Sequence, residues 1–403
     1  MKILQLCKKF PFPLKDGESI AVTSLSRSLS KLGCEITLLA MNTRKHYFEL
    51  KRIPATLDHY QEIYTVDVDN RIKPIEAFLN LFSKESYHVQ RFINADFEQK
   101  LIQLLKKEDF DVIQLETLYL SPYIPIIRKY SDAVVAMRSH NVEHEIWERI
   151  AENTKFLPKR LYISHLTHKL KKFEIEQQDN YDLLIPISHR DLEKFKSFGY
   201  HGPSRVIPIG IDSEPYRPDY DTFDGELSIS FIGSLDWMPN QEGLKWFLDK
   251  IWGPLQKRYP KLSLHIAGRN TPRWIQQLKR KNVKVYGEVP SAIEFINQHS
   301  VMVVPLLSGS GMRAKILEGM LLGKVVLTTP LGLEGIHAKH KKEVLIAETV
   351  ADFEKAINYC YRNRNKLERI GRRAKEFVSV HYDCMELADD LMKEYSSLLM
   401  EVV

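Results

Sequence analysis

Val303-Val304-Pro305-Leu306-Leu307-Ser308-Gly309-Ser310-Gly311-Met312-Arg313-Ala314-Lys315-Ile316-Leu317-Glu318-Gly319-Met320 runs from a short β-branched segment, through a glycine-serine turn, into apolar residues at helical spacing. That order is the strand-loop-helix step of a parallel α/β sheet, in which ligands bind beyond the carboxyl ends of the strands. Gly309 and Gly311 let the backbone come close to a ligand. The helix start behind them offers amide N–H groups and the positive end of a dipole. Arg313 and Lys315 stand in the first turn, where that dipole disfavours cations. A phosphate would offset the conflict. Glu318, about one turn further in, is placed to accept hydrogen bonds from sugar or ribose hydroxyls. Without a ligand the same residues read as an ordinary turn and a ladder of surface ion pairs. The ordered run of strand, glycines, cations and carboxylate favours the ligand.

The alternation continues outward in both directions. Apolar runs at 2–6, 35–39, 111–115, 133–137, 183–187 and 205–207 predict strands of one sheet, and runs at 227–232, 262–267, 283–286, 301–305 and 325–328 those of a second. Amphipathic stretches separate them. In 18–32, Val22, Leu25, Leu29 and Leu32 share one face and Gly33 supplies a C-terminal stop. The stretch 213–225, rich in Asp, Pro and Tyr and without a period, reads as a linker. A chain of 403 residues suits two domains. The expected organisation is α/β throughout: a Rossmann-like domain over 1–208, a second over 209–382, and an amphipathic helix over 383–403 that either caps the second domain or crosses back to the first.

Composition excludes several classes. The net charge of +6 is spread along the chain, so nucleic acid is not an expected partner. Cys7, Cys34, Cys360 and Cys384 show no CxxC spacing and read as reduced thiols, and His165-Leu166-Thr167-His168 is one residue short of the helical ligand spacing, so no metal site is expected. No apolar run is long enough to span a bilayer and 1–6 shows no signal-peptide pattern, which predicts a cytoplasmic protein. The basic stretch 157–172, with Lys159, Arg160, Lys169, Lys171 and Lys172 among apolar residues, reads as the solvated face of a long helix or as a peripheral contact with the inner face of an anionic membrane. The solvated face is the favoured reading. Asp67-Val68-Asp69 imitates a metal-binding DxD but reads as an acidic strand end.

The segment Gly311 to Met320, followed by Leu322-Gly323-Lys324-Val325-Val326-Leu327-Thr328-Thr329, resembles the donor-binding motif of glycosyltransferase family 4. Phe231-Ile232-Gly233-Ser234-Leu235-Asp236-Trp237-Met238-Pro239-Asn240, Ala267-Gly268-Arg269 and Tyr286-Gly287-Glu288-Val289 extend the resemblance over most of the second domain. It implies a GT-B fold, with two Rossmann-like domains facing a central cleft, and transfer of a hexose with retention of anomeric configuration and without a bound metal or other cofactor. The donor it implies is a nucleoside diphosphate sugar. Glu318 matches the second glutamate of the family's E-x7-E pattern, which contacts the ribose, whereas Ser310 stands where the first glutamate belongs. The basic pair usual after the domain's first strand is absent too, and Arg313, Lys315 and Arg269 are the replacements available. Gly287 and Val289 match the turn whose backbone reads the base. The remaining donor-side candidates are Gly233, Ser234, Gly268, Gly309, Ser310, Gly311 and Met312.

In the first half, Asp16-Gly17-Glu18 resembles a shortened form of the family's glycine loop, and reads equally as a plain strand-to-helix turn. His140 follows the strand ending at Met137 and is the candidate catalytic side chain. The resemblance implies a histidine there that bonds the transferred sugar, while an isolated histidine can also be a core or capping residue. Glu116, just past another strand, faces an acceptor or is a solvated loop residue. The resemblance implies transfer of a hexose to a glycan or lipid-linked saccharide in cell-surface polysaccharide synthesis. The alternative, drawn from Ser310, is a GT-B-shaped binding or regulatory subunit without activity. A nicotinamide-dependent dehydrogenase is disfavoured, since neither 1–33 nor 227–243 contains GxGxxG.

Overall fold

The computed structural model describes residues 1–14, 16–49, 53–309 and 311–401. The chain divides into two units, Met1–Gly210 with Cys384–Val403, and Ile211–Asp383. Each is built on a six-stranded parallel sheet.

The first sheet consists of β1 (Lys2–Cys7), β2 (Glu35–Thr43), β3 (Glu62–Val68), β4 (Val112–Leu115), β5 (Val134–Ser139) and β6 (Leu183–Pro186), in the spatial order β3-β2-β1-β4-β5-β6. The second contains β7 (Ser228–Ile232), β8 (Ser263–Ala267), β9 (Val283–Gly287), β10 (Val301–Val304), β11 (Val325–Thr328) and β12 (Leu345–Ile346), ordered β12-β11-β10-β7-β8-β9. Read from β9, the second order is the same as the first. Both are doubly wound, and in each the direction of winding reverses beside the unit's first strand, between β1 and β4 and between β7 and β10. Such switch points open a crevice at the carboxyl edge of the sheet. Apart from the half-exposed edge strands β3 and β9, the strands are covered on both faces, which is why they read as nearly continuous apolar runs. Leu4, Leu38, Ile113, Val135 and Leu184 in the first sheet, and Phe231, Leu264, Val303 and Leu327 in the second, are completely buried.

The expected strand at 205–207 does not form. Arg205 and Ile207 donate single backbone bonds to Leu184 (3.1 Å) and Pro186 (3.0 Å), but only an isolated bridge at Ser204 results. Pro203 and the departure of the chain toward Gly210 leave no ladder to continue. The stretch 213–225 is likewise more than a linker, because it is bound down along the second unit. Lys324 Nζ donates to Thr222 Oγ1 (3.0 Å) and to the Asp219 carbonyl, Ser300 Oγ donates to the Thr222 carbonyl (2.6 Å), and Asn297 Nδ2 donates to the Arg217 carbonyl (2.8 Å).

The C-terminal helix, Cys384–Glu401, returns to the first unit and packs along the helix Gly17–Lys31. Ala388, Leu391 and Tyr395 enter the core formed by Val22, Leu25, Ile36 and Val134. Tyr395 is fully buried, and its hydroxyl donates to Gln114 Oε1 on β4 (2.6 Å). Among the described residues, no helix is long and apolar enough to cross a membrane.

Candidate active site

The loops leaving β7 and β10 flank the switch point of the second sheet and carry most of the donor-side candidates. The helix Ala314–Leu321 follows the β10 loop, with Arg313 as its N-cap residue and no side-chain cap. Lys315 turns back across the sheet edge, where its Nζ donates to the Ile232 carbonyl (3.2 Å) and Asn240 Oδ1 (2.9 Å). A Cβ at Gly233 would lie 2.7 Å from Asn240 Nδ2 and 3.1 Å from Lys315 Nζ, so the absence of a side chain there makes room for the ammonium. Partial burial, together with the nearby Arg313 guanidinium, pushes the Lys315 ammonium down to about 7.

Arg313 is buried beside it. Its guanidinium donates to the Gly311 carbonyl and stands 5.4 Å from the centre of the Trp237 ring. Gly309, at φ +104°, has the left-handed conformation that a side chain would strain, and a Cβ there would press on Arg313 and Trp237. Glu318 accepts from the Tyr216 hydroxyl (3.0 Å), and burial raises its carboxyl above the usual range. Arg313 and Lys315 bring two cations together at a helix start that has no side-chain cap, a place where the helix dipole favours an anion.

The β8 and β9 ends join this cluster. A Cβ at Gly268 would overlap the Gly233 carbonyl oxygen, so the two backbones touch. Arg269 Nε donates to Ser234 Oγ (3.0 Å), which in turn donates to Asp236 (2.5 Å). Gly268 N donates to the Gly287 carbonyl (2.7 Å), and Gly287 ends β9 at φ +71°. A recess of about 340 Å³ opens beside that turn, lined by Thr271, Gln276, Val285, Tyr286, Gly287 and Glu288. Gly233, Ser234, Gly268, Arg269, Gly287, Gly309, Gly311, Arg313 and Lys315 are thus brought together along one sheet edge. Met312 is buried within the β10 loop and Val289 is half-buried just past the β9 turn. Ser310 lies outside the described residues.

Sequence reasoning missed four participants. Asn240 and Trp237 come from the turn into the helix Met238–Trp246, Glu242 accepts from Ser308 Oγ (2.7 Å), and Tyr216 reaches Glu318 from the supposed linker. Asn240 had a signal, since an amide in the first turn after a glycine-ended strand is a natural partner for a buried cation. Tyr216 had none.

In the first unit, the switch point between β1 and β4 collects a separate charged group. Gly17 is the first residue of the helix Gly17–Lys31, and Asp16 caps it by accepting from Ser19 N. Lys9 pairs with Asp16 (2.7 Å), and Lys8 approaches Glu18 (3.5 Å). Burial would raise the Glu18 carboxyl, but Lys8, Lys9 and His140 outweigh it and hold the group below its ordinary value.

His140, buried past the end of β5, bonds through Nε2 to Glu116 Oε2 (2.9 Å). Glu116 is buried and is not a loop residue in solvent. Its Oε1 accepts from Gln5 (2.5 Å) and Gln114, and Arg138 lies 3.4 Å from Oε2. Burial alone would raise this carboxyl, yet Arg138 and the His140 bond bring it to about 2. An ionised carboxylate can only accept, so His140 Nε2 carries a proton and donates it to Glu116. Asp67 accepts from Asn42 (3.0 Å) and Asp69 pairs with Arg71 (2.6 Å), so the DxD carboxylates are occupied locally.

Two doubly wound six-stranded parallel sheets define a GT-B protein. The chain belongs to the group 1/family 4 glycosyltransferases: residues 16–215 match the model described as Glycosyltransferase Family 4, and residues 226–363 the model described as Glycosyl transferases group 1. A relative described as an uncharacterised 44.6 kDa protein in the cps region of Klebsiella pneumoniae is 25% identical over 422 residues, covering 98% of this chain and 99% of the relative. Among solved structures, HepE from Anabaena in complex with UDP-glucose superposes with a TM-score of 0.67 at 15% identity, covering 98% of this chain and 100% of that one. Sucrose-phosphate synthase from Thermosynechococcus elongatus gives 0.72 at 14% identity, with complete coverage of both chains.

Proposed function

We propose that the chain is a retaining glycosyltransferase that moves a hexose from a nucleoside diphosphate sugar to a glycan or lipid-linked saccharide in cell-surface polysaccharide synthesis. The observation that carries this reading is the pairing of Lys315 and Arg313 at the uncapped start of Ala314–Leu321, beside the bare backbone of Gly233. A diphosphate would bring negative charge to these two cations, and Glu318 is one turn away to hold a ribose. The same cations would stabilise charge on the departing diphosphate, so that catalysis is positioning plus electrostatics. His140, fixed by Glu116, is assigned to the transferred sugar. The UDP-glucose named for HepE and the cps region named for the Klebsiella relative agree with the donor class and the pathway class.

Thermal melting against UDP, GDP and ADP sugars tests the reading. A donor at about 100 times its dissociation constant should raise the melting point by roughly 5–10 °C. Transfer to a saccharide acceptor should follow with the same nucleotide. If no nucleotide sugar stabilises the chain, the proposal fails. Stabilisation without transfer or donor hydrolysis would instead favour the inactive binding subunit suggested by Ser310.

A further inference from the structure

Away from both switch points, the first unit carries an apolar surface that the core does not explain. The segment Pro74–Phe82, a helix running into a 3-10 turn, leaves Ile75, Phe78, Leu79 and Phe82 exposed, Phe82 by 81% and Ile75 by 76%. The start of the helix Leu157–Glu176 does the same with Leu157 and Leu161, joined by the preceding Phe156. Seven of the eighteen large hydrophobic side chains exposed among the described residues fall in these two short stretches.

The stretches are packed together. Ala77, Tyr87 and Leu166 form a small buried cluster with Tyr162 against it, Tyr162 reaches the Ala77 carbonyl (3.5 Å), and the buried Lys169 donates to the Asn80 carbonyl (2.5 Å). The internal contacts therefore use Ala77, Asn80, Tyr162, Leu166 and Lys169, while their immediate neighbours Phe78, Leu79 and Leu161 turn outward. Scattered single exposed hydrophobics are ordinary, whereas a concentration on two adjoining segments marks a binding face. Its charge says what binds. Lys84, Lys155, Lys159 and Arg160 are exposed beside the apolar tips, against Glu85 and Glu152, while Lys73 and Glu76 pair with each other (2.9 Å).

We infer that this face, formed jointly by Pro74–Phe82 and the start of Leu157–Glu176, docks on the surface of a membrane containing anionic phospholipid. Aromatic and aliphatic tips enter the headgroup boundary while lysine and arginine bind lipid phosphate, the combination that holds an interfacial element without spanning the bilayer. A protein partner of matching shape would need acidic groups around an apolar cleft. A lipid surface supplies both over any area.

Flotation of the full-length chain with vesicles tests this, with no donor or acceptor present, so the outcome is independent of glycosyl transfer. Vesicles of phosphatidylcholine with about one third phosphatidylglycerol should carry the protein, and pure phosphatidylcholine should carry much less. The Lys159→Ala/Arg160→Ala variant should bind about 30-fold more weakly, and Phe78→Ser/Phe82→Ser should lose binding even at low salt. Val380→Ser, which removes an exposed hydrophobic side chain in the other unit, should bind as the parent does. Unchanged circular dichroism melts would show that the variants are folded. The inference is overturned if the parent does not float with anionic vesicles, or if both double variants float as well as the parent. It is also overturned if sedimentation velocity shows that the face joins two copies of the chain, with Phe78→Ser/Phe82→Ser releasing a monomer whose vesicle binding is unaltered.

Discussion

Lys315 offers the sharpest test of the donor site, because its electrostatics convert directly into a proton count. Burial and Arg313 push its ammonium from 10.5 to about 7. With that value, only about a tenth of the free protein carries the charge at pH 8. A nucleotide sugar brings a diphosphate diester with no titrating group in this range, and its negative charge favours protonated Lys315. Binding therefore raises the pKa in the complex, and the sign follows: above pH 7 the ligand must draw in a proton, so affinity falls as pH rises. If the complex returns to the ordinary lysine value, affinity drops by about 50-fold between pH 7 and pH 9. Titration calorimetry in two buffers of different ionisation enthalpy measures the uptake, using the nucleotide sugar that best stabilises the chain. We expect about 0.9 proton per site at pH 8 and about 0.1 at pH 6. Lys315→Met, which keeps the length and removes the charge, should abolish the uptake and flatten the affinity profile between pH 7 and pH 9. Near-zero uptake by the parent at pH 8, or equal uptake by the variant, would refute the assignment of Lys315 to the diphosphate.

Two further perturbations separate the two switch points. Glu116→Gln takes the negative charge off the group that fixes His140 Nε2 and should lower kcat by about 10²-fold while leaving donor KM within about threefold; a parental kcat would remove His140 from the reaction. Gly268→Ala forces a Cβ into the Gly233 carbonyl and, with little room to relax, should cost about 2–3 kcal/mol. A melting point and donor affinity equal to the parent's would show that the two loops do not need their close approach.

The architecture was legible because the inner parallel strands are buried on both faces and so read as nearly continuous apolar runs. Strand order was not, since sequence gives alternation but not adjacency. β12 is two residues long, and Arg205–Ile207 has strand composition without a ladder to join, so the edges of both sheets were where the reading was weakest. The β10 loop could be read in detail because strand, turn, cations and carboxylate are contiguous in the chain. Tyr216 could not, because its meeting with Glu318 spans 102 positions and depends on how 213–225 is bound down by Lys324 and Asn297.

The first-unit site had a signal that was available and went unread. Gln5, Gln114 and Arg138 interrupt strands that are otherwise apolar, and Glu116 follows β4 directly. In a sheet covered on both faces, each such group costs free energy unless it is bonded. The register puts Gln5 opposite Gln114, and Leu115 opposite Met137, so that Glu116 and Arg138 are near neighbours on the same edge. Tyr395 donates to Gln114, and Gln114, Gln5 and His140 all donate to Glu116. Polar residues recurring on adjacent buried parallel strands therefore point to a shared network, and its most exposed end is the place to look for chemistry. Here that end is His140, the most exposed member of the network, which stands just past the carboxyl end of β5.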